Sequence, residues 1–103
     1  MTAMARVGLV GSGFAAGFQC RAYERIRDID VRLVGVAAST RASAEAFAAE
    51  HGIAAAHGGA EELIARADVD IIDLCVPNRL HEPLAMAAIA AGKHVICEKP
   101  LTG

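Results

Sequence analysis

Residues 6–16 read Arg6-Val7-Gly8-Leu9-Val10-Gly11-Ser12-Gly13-Phe14-Ala15-Ala16, an apolar run that breaks into a glycine turn and resumes in small residues. A short valine- and leucine-containing run of this kind is a strand candidate. The turn fits the pattern G-x-G-x-x-[GA], with Ala16 in the last position. Each position has a physical task. Gly11 permits a tight strand-to-helix turn, Gly13 leaves no side chain between backbone and pyrophosphate, and Ala16 lets the helix close on the strand. The helix start then offers unpaired N–H groups and a partial positive charge to phosphate. The candidate nucleotide contacts of this turn are Gly11, Gly13, Phe14 and Ala15.

Strand and helix signals alternate through the rest of the chain. A helix is predicted over 14–27 with Phe18, Ala22 and Ile26 on its inner face, and a strand over 31–37 follows. The next helix spans 41–51, with Ala44, Phe47 and Ala48 inward and Gly52 ending it. A short third strand covers 53–57. A helix over 60–67 turns Leu63, Ile64 and Ala67 inward, and a fourth strand covers 70–76. The last helix is expected over 81–91 with Pro83 in its first turn, where a missing N–H matters least; a fifth strand covers 94–97. Such alternation predicts an α/β fold, a Rossmann-type doubly wound parallel sheet in the order 3-2-1-4-5, as one domain over 1–103.

Composition narrows the function classes. Of 103 residues, 54% are hydrophobic and 21% charged, with a formal net charge of -2. Alanine accounts for 23 of them, so Val, Ile, Leu, Phe and Met must fill the core. A near-neutral chain with 4% aromatics and no Trp lacks the basic stripe and stacking surface of a nucleic-acid protein. No apolar run approaches the roughly 20 residues of a membrane span. Cys20, Cys75 and Cys97 are widely spaced in apolar surroundings and fit neither a disulfide framework nor a zinc site. They are expected to be buried, reduced thiols, and the chain to be cytoplasmic. The four histidines and the acids Asp68, Asp70 and Asp73 form no ligand-spaced set, so no metal site is expected.

The end of the second strand declares the cofactor in folds of this kind, where an Asp or Glu would bind the ribose 2′-hydroxyl of NAD. Here the chain reads Val36-Ala37-Ala38-Ser39-Thr40-Arg41, with no carboxylate. Two hydroxyls and a guanidinium suit a 2′-phosphate. Ser39, Thr40 and Arg41 therefore favour NADP over NAD, although Ser39 or Thr40 also suits the cap of the helix that follows.

Two more segments lie beyond the carboxyl ends of strands, where open α/β sheets bind ligands. They are Val76-Pro77-Asn78-Arg79-Leu80-His81 and Cys97-Glu98-Lys99-Pro100. With the glycine turn, these resemble the N-terminal domain of the glucose–fructose oxidoreductase/inositol dehydrogenase/rhizopine-catabolism (Gfo/Idh/MocA) family. The stretch from Ala91 to Pro100 carries the resemblance most specifically, and it extends over essentially the whole chain. It implies an NAD(P)-dependent oxidoreductase moving a hydride between nicotinamide and a hydroxyl or carbonyl carbon of a sugar, cyclitol or related polyol. By the same resemblance Lys99 is the catalytic residue, while Pro77, Asn78 and Glu98 lie along the nicotinamide and its ribose. A lysine beside a bound cation in a drying cleft can relay a proton or polarise a carbonyl. His81 fits either a cofactor contact or a helix-capping role. The chain departs from the family pattern at Gln19, where a histidine is frequent, and at Ala38, where an acid is frequent. The family continues into a second α/β domain that supplies substrate contacts and the usual homo-oligomer interface. The expectation is thus the cofactor-binding part of a longer dehydrogenase; the alternative is a stand-alone NADP-binding or sensing module.

Overall fold

A computed structural model describes residues 4–26, 30–76 and 78–97. The expected roles of Pro77, Glu98 and Lys99 lie outside the described residues. The elements alternate as β1 (Met4–Val10), α1 (Phe14–Glu24), β2 (Asp30–Ala37), α2 (Arg41–His51), β3 (Ala56–His57), α3 (Ala60–Ile64), β4 (Ile71–Leu74), α4 (Asn78–Ala90) and β5 (His94–Cys97). The five strands form one sheet in the order β3-β2-β1-β4-β5, and every neighbouring pair is parallel. That is the predicted order.

Strand alternation divides the core into two layers. Leu9 and Val36 point to the face covered by α1 and α2, meeting Ala16, Cys20, Ala44 and Phe47. Their neighbours Val10 and Ala37 point to the opposite face, with Leu63 and Ile64 of α3, Ile72 and Leu74 of β4, and Ala88 of α4. Leu9, Leu63, Ile72 and Leu74 are fully enclosed, each contributing about 1.5–3 kcal/mol of burial. Their enclosure fixes the heights of β1 and β4, and so aligns the carboxyl ends that carry the glycine turn.

Several elements are shorter than the sequence expectations, α1 ending at Glu24, β3 reduced to Ala56–His57 and β4 to Ile71–Leu74, and four further details differ. On α1 the sheet-facing residues include Ala16 and Cys20, with Tyr23 half-buried, while Phe18 and Ile26 are 62% and 41% exposed. On the sheet-facing side the small Ala16 and Cys20 let α1 pack closely on Leu9 and Val36, and Tyr23 bonds a buried carboxylate beneath it. α4 begins at Asn78, not 81, so Pro83 is its sixth residue. The earlier start accompanies a bond from His81 Nε2–H to the Val76 carbonyl at 2.6 Å, which folds the chain back onto the end of β4. Pro83 forfeits a bond to the Arg79 carbonyl, but it is exposed, so water can reach that oxygen. The third helix stops at Ile64 and leaves Ala67 exposed. Among the cysteines Cys20 is buried, Cys75 half-buried and Cys97 exposed, because Cys97 lies on β5 at the sheet edge.

Candidate functional site

Four chain segments converge at the carboxyl ends of β1, β2, β3 and β4 around a cavity of about 520 Å³. Its floor is Val10, Gly11, Ser12 and Gly13; one wall is Ala37, Ala38 and Ser39, continued by Gly58, Gly59 and Ala60. The other wall is Cys75 and Val76, followed by Arg79, Leu80 and Leu84 of α4. The volume is in the range of a small-molecule or cofactor site, about 300–1,000 Å³. Arg79 is the one charged residue among its described lining residues.

The floor is shaped by glycine. Gly11 has φ +121° and donates its N–H to the Ala37 carbonyl at 2.7 Å, tying the turn to β2. A Cβ at this position would sit 2.3 Å from the Cys75 carbonyl oxygen, so only glycine fits. Gly13 caps α1 in an extended conformation, without a side-chain cap and with no acid in the first turn. A Cβ there would meet nothing within 4 Å. The space beside Gly13 is open, and the first N–H groups of α1 are left for an anion. Ala16, wholly buried with Leu9 and Val36, holds α1 close against the sheet. These residues fit the pyrophosphate of a dinucleotide.

The remaining predicted contacts fall in different places. Ser39 lines the cavity. Thr40 caps α2: its Oγ1 accepts the Ser43 N–H at 3.1 Å and donates to Ser43 Oγ at 2.9 Å. Arg41 is on the rim, donating to the Ala56 carbonyl at 3.3 Å and pairing with Glu62 at 3.5 Å. The carboxylate absent from the end of β2 is thus present nearby, supplied by α3. Phe14 and Ala15 form the first turn of α1, and Asn78 is the first residue of α4. His81 is outside the cavity lining, its Nε2–H engaged by Val76.

Sequence reasoning missed a buried polar group behind this floor. Asp73 on β4 is wholly inaccessible. One carboxylate oxygen accepts the Tyr23 hydroxyl at 2.6 Å and the other the Cys75 thiol at 3.6 Å. Burial pushes the Asp73 carboxyl above the usual carboxylate range, while bonds from Tyr23, Gln19 and Cys75 hold it partly down. Burial and the Asp73 bond push the Tyr23 hydroxyl up as well. A signal existed: Asp73 is the single acid inside the run Ile71-Ile72-Asp73-Leu74-Cys75-Val76. A carboxylate in such a run must find a donor, and α1 carries the only tyrosine of the chain.

Among the described residues no group of three or more His, Cys, Asp or Glu is placed to hold a metal ion, and no helix is long and apolar enough to cross a membrane.

Comparison with known proteins gives a consistent picture. Residues 5–103 match the family profile described as "Oxidoreductase family, NAD-binding Rossmann fold". The chain is 37% identical over 98 residues to a 1,5-anhydro-D-fructose reductase of Ensifer adhaerens, covering 95% of this chain and 29% of that protein. Among solved structures, a levoglucosan dehydrogenase in complex with NADH and L-sorbose superposes with TM-score 0.89 at 30% identity, over 98% of this chain and 29% of that one. A biliverdin reductase from Synechocystis, in complex with biliverdin and NADP+, superposes with TM-score 0.79 at 32% identity, over 95% and 30%. The chain therefore spans less than a third of the length of these relatives.

Proposed function

The chain belongs to the Gfo/Idh/MocA oxidoreductase family, and on that premise we propose that it is the dinucleotide-binding part of an NADP-preferring dehydrogenase or reductase acting on a sugar, cyclitol or related polyol. The observation that carries the reading is the floor of the cavity. Gly11 has no room for a side chain, Gly13 opens on free space, and the start of α1 is left without a side-chain cap. That combination binds a pyrophosphate by backbone N–H groups rather than by side-chain charge.

Bound nicotinamide supplies the hydride donor or acceptor. The chain's own residues bind, orient and move protons. Arg79 brings positive charge to the phosphates, and the apolar wall of Val76, Leu80 and Leu84 suits the face of an aromatic base. Ser39 meets the ribose, with Arg41 on the rim for its 2′-phosphate. Lys99, two residues beyond β5 in the chain, holds or releases the proton of the reacting hydroxyl; Glu98, Pro77 and Asn78 border the nicotinamide ribose. Thr40 supports this arrangement indirectly, by fixing the start of α2. Substrate class comes from the relatives, which include the anhydrofructose reductase and the levoglucosan dehydrogenase.

Titration of the intact protein with NADPH and NADH, followed by nicotinamide fluorescence, tests the reading. Saturable binding of both is expected, with NADPH the tighter. Tighter NADH binding refutes the 2′-phosphate assignment of Ser39 and Arg41. A folded protein that binds neither nucleotide refutes the reading as a whole.

A further inference from the structure

The rim of the cavity holds a charge pair with an asymmetry that bears on cofactor choice. Arg41 is the first residue of α2, where the partial positive charge of the helix start disfavours a cation. Its stem packs beside Gly58, whose added Cβ would sit 3.5 Å from Arg41 Cβ, and Gly58 itself lines the cavity. The guanidinium rests on the Ala56 carbonyl and Glu62 Oε1. Glu62 is two residues beyond the cavity-lining Ala60, so the pair bridges the rim between the start of α2 and α3.

Glu62 is backed by a further chain of contacts. Its second oxygen lies 3.9 Å from His57 Nδ1. The other ring nitrogen of His57 is 3.3 Å from Arg66 Nη1, and Arg66 is anchored by the Val34 carbonyl and Asp68. Arg41 is backed more lightly, by the Ala56 carbonyl at 3.3 Å. Both partners of the pair are roughly half-exposed and the contact is a long 3.5 Å, so the pair is weak and exchangeable.

We propose that Glu62 is a specificity-determining residue that holds Arg41 on the rim and thereby restrains the preference for a ribose 2′-phosphate. A dianionic phosphate draws the guanidinium from Glu62 into a charge-assisted contact; a ribose 2′-hydroxyl leaves the pair as it is. The acid that a sequence search seeks at the end of β2 acts here from α3, through Arg41. This inference rests on the assignment of Arg41 to the 2′-phosphate.

The test is the ratio of NADPH to NADH affinity in the intact protein, measured by nicotinamide fluorescence for the native form, Arg41→Ala, Glu62→Gln and the double variant. Both sites of change are on the surface, and circular dichroism confirms folding. Arg41→Ala is expected to lower the ratio. Glu62→Gln is expected to raise it about two- to fivefold, the range of an exposed ion pair, and to do so only when Arg41 is present. If Arg41→Ala lowers the ratio while Glu62→Gln leaves it unchanged or lowers it, the role of Glu62 is overturned and the cofactor reading stands. An equal rise with and without Arg41 also overturns it, since Glu62 would then act as a bare charge. If Arg41→Ala leaves the ratio unchanged, the 2′-phosphate assignment falls, and the role of Glu62 with it.

Discussion

At the amino ends of the strands, polar side chains are matched to one another; at the carboxyl ends, the start of α1 is left without a side-chain cap. Arg6 of β1 holds Asp70 at the start of β4 through two guanidinium bonds of 3.0 Å, and its own N–H adds a third at 3.1 Å. Lys93, just before β5, donates to the carbonyls of Arg66 and Val69. Across the sheet, the start of α1 has no side-chain cap and, among the described residues, the turn at Gly11–Gly13 has no such side-chain partner. One end spends its hydrogen-bonding capacity within the fold, and the other keeps it for a ligand. Substitutions should therefore separate by location: those at the upper end change binding, those at the lower end change stability alone.

The largest effect is expected at Gly11. An alanine there must adopt φ +121° and place Cβ 2.3 Å from the Cys75 carbonyl oxygen. Backbone strain together with the displaced strand end should cost about 3 kcal/mol or more in urea unfolding. Because the same shift moves the floor of the cavity, NADPH binding should be lost under conditions where the variant remains folded. A Gly11→Ala protein of native stability and affinity would break the contrast between the two ends.

The next effect lies between the ends, at the Tyr23–Asp73 bond. Tyr23→Phe leaves a buried carboxylate short of its strongest donor, at a cost of about 1–3 kcal/mol. Its pH dependence has a definite sign. Asp73 has a folded pKa above its ordinary 3.8, chiefly through burial. Its contribution to stability is then greatest below 3.8 and falls as pH rises through the folded value. Tyr23 limits that fall, since its hydroxyl favours the charged form. Urea unfolding of Tyr23→Phe should thus show a larger loss at neutral pH than at pH 3. A uniform loss at both would mean that Asp73 does not ionise within the fold.

The contrast also explains which parts of the molecule were legible in the sequence. The glycine turn was readable because each of its positions answers a single local demand, and strand order followed from strand–helix alternation alone. The face of α1 was not, because Phe18, Ala22 and Ile26 form a plausible apolar stripe by themselves. The observed face is defined by tertiary contacts instead: Ala16 and Cys20 against Leu9 and Val36, and Tyr23 on Asp73, 50 residues away. The start of α4 at Asn78 depended on His81 reaching back to the Val76 carbonyl, which a rule about proline could not foresee. At the cofactor rim, Ser39 and Arg41 could be read from the sequence but Glu62 could not, since Arg41 and Glu62, 21 residues apart, meet only after β3 pairs with β2.

The smallest effect, and the one that isolates the lower end, is expected from Asp70. Bonds from the Arg6 side chain, and then from its backbone N–H, hold the Asp70 carboxyl below its ordinary 3.8. For a depressed acid the stabilisation is present above 3.8 and disappears as pH falls through the lower folded value. Asp70 and Asp73, three residues apart, therefore act in opposite directions below neutral pH. Asp70→Asn removes the acid-labile part, so the variant should be modestly less stable at pH 7, with a thermal midpoint that declines less steeply on acidification. Asp70 is half-exposed, so screening by salt should shrink the difference. NADPH affinity should stay at the native value, because nothing in the cavity touches this end of β4. A variant that binds more weakly while unfolding normally would show that the Arg6–Asp70 pair communicates along the strands to the glycine turn, and the division of labour between the two ends would have to be abandoned.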